Sequence, residues 1–117
     1  MKEIILNETA YCVINNKIYA QEKVKKLLLE DGNITITTTG YKQKDENEIA
    51  FDGTYLIENR DSSIPTMNKV SVKGGDQNII INNINMINNS IVISDSAKCN
   101  LIIEGNNTKW NSILCYK

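Results

Sequence analysis

Asn78-Ile79-Ile80-Ile81-Asn82 is answered 22 residues later by Asn100-Leu101-Ile102-Ile103-Glu104. The same step taken back toward the N-terminus lands on Leu56-Ile57-Glu58-Asn59-Arg60, Ile34-Thr35-Ile36-Thr37-Thr38 and Cys12-Val13-Ile14-Asn15-Asn16. A second apolar run keeps the same step at Glu3–Leu6, Lys25–Leu29, Asn47–Phe51, Lys69–Val72, Ile91–Ser94 and Ile113–Tyr116. Two strand-length runs per period, at a period between 20 and 50 residues, are the mark of stacked architectures. The pattern predicts an all-β fold: a short parallel β-solenoid, β-helix-like, with coils of about 22 residues wound about five times.

Local signals agree with strands. Ile34-Thr35-Ile36-Thr37 alternates apolar and polar residues and is β-branched throughout, Val70-Ser71-Val72 alternates likewise, and Ile91-Val92-Ile93 is wholly β-branched. Gly and Asp recur between the runs, at Asp31-Gly32, Asp52-Gly53 and Gly74-Gly75-Asp76, where left-handed backbone angles and local side-chain caps are needed. These positions mark turns more firmly than the Ile and Asn coincidences, because the chain holds 19 Ile and 17 Asn and some of them must fall in phase by chance.

In a solenoid, equivalent positions stack about 4.8 Å apart. Asn15, Asn59, Asn82 and Asn106 would then bond amide to amide up one corner. The stretch 78–107 resembles the repeats of right-handed parallel β-helix proteins. That resemblance covers about a quarter of the chain and implies a shape, with no activity attached to it.

Two other folds fit the same residues. Asp-Gly and Asn-Asn between apolar runs are two-residue hairpin signals, at Val13–Ile18, Leu29–Ile34, Phe51–Thr54 and Met86–Ile91, and would build an antiparallel β-sandwich or barrel. The third is α+β. Residues 20–31 hold Glu22, Lys23, Lys25, Lys26 and three leucines, good helix formers ahead of a Gly32 placed to end a helix.

Length and composition set the outer bounds. The 117 residues, 41% hydrophobic and 23% charged, predict a single β-rich domain over 1–117 with a real core. A net charge of −1 gives no global attraction to nucleic acid or to an anionic membrane. Ile4-Ile5-Leu6 is too short for the core of a signal peptide, and no run approaches a membrane span. Cys12, Cys99 and Cys115 sit within or beside apolar runs, and their odd number predicts buried reduced thiols, which favours a cytoplasmic location.

Chemistry is sparse. There is no histidine, so Ser–His and Cys–His nucleophiles are excluded. Gly74-Gly75 lacks the Lys-Ser/Thr of a phosphate loop. Carboxylates recur near the turns (Glu8, Glu30 or Asp31, Asp52, Asp76, Asp95) and would suit Ca²⁺ if stacked, although Asp belongs in turns for local reasons. The expectation is therefore no enzyme and no cofactor or metal. The expected role is a structural or scaffolding module that self-associates, as a homo-oligomer, through strand edges or coil ends. The alternative is a glycan- or protein-recognition module with an exposed Tyr/Asn face, for which Tyr19, Tyr41, Tyr55 and the lone Arg60 are the candidate binding residues.

Overall fold

The computed structural model describes residues 2–6, 9–14, 16–61, 63–86, 91–94, 97–104 and 113–115. Strands dominate them, as the patterning predicts, and they form three sheets.

The first sheet is an antiparallel meander of β1 (Lys2–Leu6), β2 (Thr9–Ile14) and β3 (Lys17–Ala20). β2 and β3 form a tight hairpin. Ile14 pairs with Lys17, and Asn16 takes φ 61, which Asn tolerates better than most residues.

Every pairing in the second sheet is parallel. It contains β4 (Val24–Leu28), β8 (Thr54–Glu58), β10 (Asp76–Asn82) and β12 (Lys98–Glu104), in the spatial order β12-β10-β8-β4.

The third sheet mixes directions. β5 (Ile34–Ile36), β9 (Val70–Val72), β11 (Ile91–Ile93) and β13 (Ile113–Cys115) run parallel, while β6 (Gly40–Gln43) and β7 (Ile49–Ala50) add antiparallel beyond β5. Gly40 permits the β6–β7 approach, since a Cβ there would run into the Ile49 carbonyl.

Mixed pairing overturns the expected solenoid of equal coils. Down the second sheet Val24 lies beside Thr54, Thr54 beside Asn78 and Asn78 beside Asn100, steps of 30, 24 and 22 residues. Down the third, Ile34 lies beside Val70, Val70 beside Ile91 and Ile91 beside Ile113, steps of 36, 21 and 22. The 22-residue step is thus a register of the C-terminal strands. β1, β2 and β3 pair antiparallel instead, and the β6–β7 hairpin lengthens the chain between successive parallel strands.

The two alternatives are corrected as well. The parallel ladders rule out an antiparallel sandwich, and no closed barrel forms among the described residues. The helix expected over 20–31 is replaced by β4 between two 3-10 turns, Gln21–Lys23 and Leu29–Asp31. Helix propensity is a weak prior. Here the ladder to β8 and the burial of Leu27 and Leu29, two residues apart, outweigh it.

The expected amide ladder does not form at Asn59 and Asn82. Asn82 donates to the Glu58 carboxylate (3.2 Å), while Asn59 accepts from the Asn85 N–H (3.2 Å). Asn15 and Asn106 lie outside the described residues.

The main core fills the space between the second and third sheets, with Leu27, Tyr55, Ile57, Ile79 and Ile81 meeting Ile34, Ile36, Val70, Val72 and Ile91. The opposite face of the second sheet packs against the meander, where Leu56 and Ile80 join Cys12 with Tyr19, Val24 and Ile102 around them. A strand covered on both faces reads as an unbroken apolar run, which accounts for Ile79-Ile80-Ile81. No helix among the described residues is long and apolar enough to cross a membrane.

Ile80 is fully buried where the two layers meet, whereas Ile18 is 69% exposed on β3. Ile80→Ala is expected to lower unfolding free energy by about 2–5 kcal/mol, and Ile18→Ala to leave it within about 0.5 kcal/mol. Urea titration of both variants measures the difference.

Candidate functional site

The residues singled out from the sequence fall in three places. Tyr55 on β8 is fully buried and Tyr41 on β6 is 4% exposed. Their rings meet edge to face at 5.8 Å, and Phe51 joins Tyr55 at 5.2 Å. This aromatic knot closes the core where β6 folds over β4, so neither ring is a platform for a stacked sugar. Tyr19 packs partly buried on the other side of the second sheet, against the Cys12–Leu56–Ile80 cluster. The three tyrosines therefore share no common face.

Arg60 is exposed and does act as a clip. Its guanidinium reaches Asp31 at 3.4 Å, and its backbone N–H donates to the Glu30 carboxylate, tying the loop after β8 to the turn after β4. Its neighbours do not converge with it. Glu58 pairs with Lys26 (3.2 Å) and accepts from Asn82, and Asp61 accepts from the Ser63 hydroxyl (2.6 Å) and N–H (2.9 Å) within its own turn. The Ser63 bonds hold the Asp61 carboxyl below the usual carboxylate range.

Among the described residues a concave surface lies along the outer edge of β4. A cleft of about 230 Å³ is lined by Lys25, Lys26, Tyr41, Gln43, Glu46 and Ile49, among others. A second of about 220 Å³ adjoins it and shares Asp31, Gln43 and Glu46 with it while adding Lys44. Lys25 stands over the Tyr41 ring, 5.6 Å from its centroid. Gln43 bridges the two walls, its amide donating to the carbonyls of Leu28 (2.7 Å) and Gly32 (3.2 Å). Both clefts carry charges of both signs and are open to solvent. They present hydrogen-bonding groups to a polar ligand but no paired acid and base held in a dry site. Gln43 was not legible as a site residue, because nothing local in Gly40–Gln43 indicates that its amide caps the edge of another sheet.

Glu48 likewise carries no local sequence signal of its role. The Thr37 and Thr39 hydroxyls each donate to one of its oxygens at 2.6 Å, and Thr37 accepts in turn from the Gly40 N–H. These bonds, more than the field of Lys42, hold its carboxyl below the ordinary value.

Among the described residues no group of three or more His, Cys, Asp or Glu side chains stands close enough to hold a metal ion. Of the carboxylate series, Glu30 and Asp31 are engaged by Arg60, and Glu8 and Asp95 lie outside the described residues. Cys12 is a buried thiol in the meander cluster. Cys99 and Cys115 fall on β12 and β13. No family model matches the chain, and no curated protein or solved structure matches it significantly.

The Tyr55 hydroxyl is buried with no hydrogen-bond partner among the described residues. Burial pushes the phenol up to about 12, with Tyr41, Asp52 and Glu48 acting the same way. A pKa raised in the folded state leaves the contribution of Tyr55 intact below the unfolded value of 10.0 and removes it as pH climbs through about 12. Tyr55→Phe should change neutral-pH stability by no more than about 1 kcal/mol and should flatten the fall in melting temperature between these two pH values. Glu48 has the opposite sign. Its lowered pKa stabilises the fold above the ordinary carboxylate range, and this stabilisation is lost as pH falls through the folded-state pKa. Glu48→Gln should therefore melt below the parent at pH 7, and the gap should close on acidification, as read by calorimetry.

Proposed function

We propose that this chain is a non-catalytic β module that works by association, adding a strand of another chain to an exposed edge of its own sheets. The observation that carries the reading is the contrast between the two ends of the layered sheets. At the β4 end the edges are blunted: β4 carries Lys25 and Lys26, its Leu28 carbonyl is occupied by Gln43, and β7 is two residues long and follows the charged run 42–48. Lysines, short edge strands and covering groups are the devices that keep edges from pairing.

At the other end, seven-residue β12 is paired on one side only, among the described residues. Alternate residues of such a strand aim their N–H and C=O groups outward, ready for another chain. A second reading, recognition of a polar ligand such as a glycan, draws on the two clefts beside β4 with their amide and charged linings. The aromatic platform usual for sugars is not exposed there, since Tyr41 is buried.

Association should appear as a weight-average mass that rises with concentration in sedimentation velocity or light scattering without added ligand. A constant monomer mass to high micromolar concentration would refute the edge reading and leave recognition at the clefts.

A further inference from the structure

The edge of β12 has a sequence that complements itself. Its residues run Lys98-Cys99-Asn100-Leu101-Ile102-Ile103-Glu104, with Leu101 at the centre. An antiparallel copy centred on the same residue sets Lys98 of each chain at the register position opposite Glu104 of the other, so opposite charges face each other twice. The same register sets Asn100 opposite Ile102 and Leu101 opposite Leu101, and it pairs like faces of the sheet with like faces.

Burial also points to a missing neighbour at this edge. On β10, Ile79 and Ile80 are fully removed from water. Their register partners on β12, Leu101 and Ile102, belong to the same two apolar layers but are only half-buried. A further strand beside β12 would continue both layers. In the facing sheet β13 lies next to β11 at this same end, so among the described residues the two sheets stop together.

We infer that the partner of this edge is a second copy of the chain, joined by antiparallel β12–β12 pairing about a two-fold axis through Leu101. This rests on the edge-association reading above and deepens it. The assembly closes at two chains, because a two-fold contact uses the same patch on both copies; among the described residues the other sandwich edges are β13, which stands at the β12 end beside the contact, and β4 and β7 at the far end. Head-to-tail stacking would have to bring β12 against β4, where Lys25, Lys26, Gln43 and the overhanging β6–β7 hairpin stand in the way.

A charge-swap series at two positions tests the inference. Sedimentation velocity should show a monomer–dimer equilibrium for the parent and no larger species. Lys98→Glu and Glu104→Lys each set like charges opposite one another at both equivalent positions, and each should raise the dimer dissociation constant about tenfold. The double variant should return to the parental value. So should an equimolar mixture of the two single variants, since a heterodimer again places opposite charges face to face. Far-UV circular dichroism and melting curves on every variant separate loss of pairing from loss of fold.

A parent that stays monomeric overturns both this inference and the association reading. A parent dimer whose affinity ignores the swaps, or an assembly that grows beyond two chains, overturns the two-fold β12 interface and leaves association through another edge standing.

Discussion

Ile79, Ile80 and Ile81 are consecutive, and all three are fully removed from water. On a strand this demands cover on both faces, because neighbouring side chains point to opposite sides. Ile79 and Ile81 close the core against the third sheet, and Ile80 closes the smaller cluster against the meander. Each buried isoleucine contributes about 1.5–3 kcal/mol relative to exposure, so β10, like β8 beside it with Tyr55, Leu56 and Ile57, ties three layers together. Shifting its register by one residue would exchange its two faces and break both clusters at once. The ladders to β8 and β12 are locked by the same constraint, which makes the middle of the second sheet the reference for everything packed on it.

The part of the fold legible in the sequence is the part governed by this strand. Asn78–Asn82 and Asn100–Glu104 pair at the 22-residue step at which they resemble each other. The β2–β3 hairpin was also legible, since the pairing of Ile14 with Lys17 joins residues close together in the chain. Extending the period over the whole chain failed for two reasons. Glu3–Leu6 resembles the later runs in composition, but as β1 it bonds β2 beside it in the chain instead of a strand one period away. Residues 40–50 resemble ordinary polar loop and strand, yet they fold as a hairpin that lengthens the step. Apolar patterning reports which face is buried. It does not report which strand supplies the neighbouring hydrogen bonds, and parallel and antiparallel ladders accept the same residues.

The same limit explains the candidate residues. Tyr19 and Tyr41 stand 22 residues apart, but they lie on different sheets, one in the meander and the other in the hairpin. Tyr41 and Tyr55 do meet, inside the core. Arg60 was legible as a polar residue in a loop, while its partners Glu30 and Asp31 lie 30 and 29 residues away in sequence and next to it in space. Gln43 and Glu48 were invisible for a related reason. Each satisfies backbone or hydroxyl groups brought close only by the tertiary fold, and no local motif encodes that.

Among the described residues Tyr41 and Tyr55 are committed to the core, and Lys26 and Arg60 are engaged by Glu58 and Asp31, so these side chains offer little to a partner by stacking or charge. Backbone groups remain. A sheet that ends without a neighbour leaves hydrogen-bonding capacity in a regular row, and partly exposed Leu101 and Ile102 add apolar area beside it. Where an edge must stay unpaired, proteins interrupt that row with charge, brevity or cover. The chain uses all three around β4 and β7, which shows that its sequence can disarm an edge. On β12 the central five residues are uncharged and the only charges sit at the two ends, of opposite sign. For a solitary molecule that arrangement guards the strand poorly, but for a two-fold pair it fixes the register.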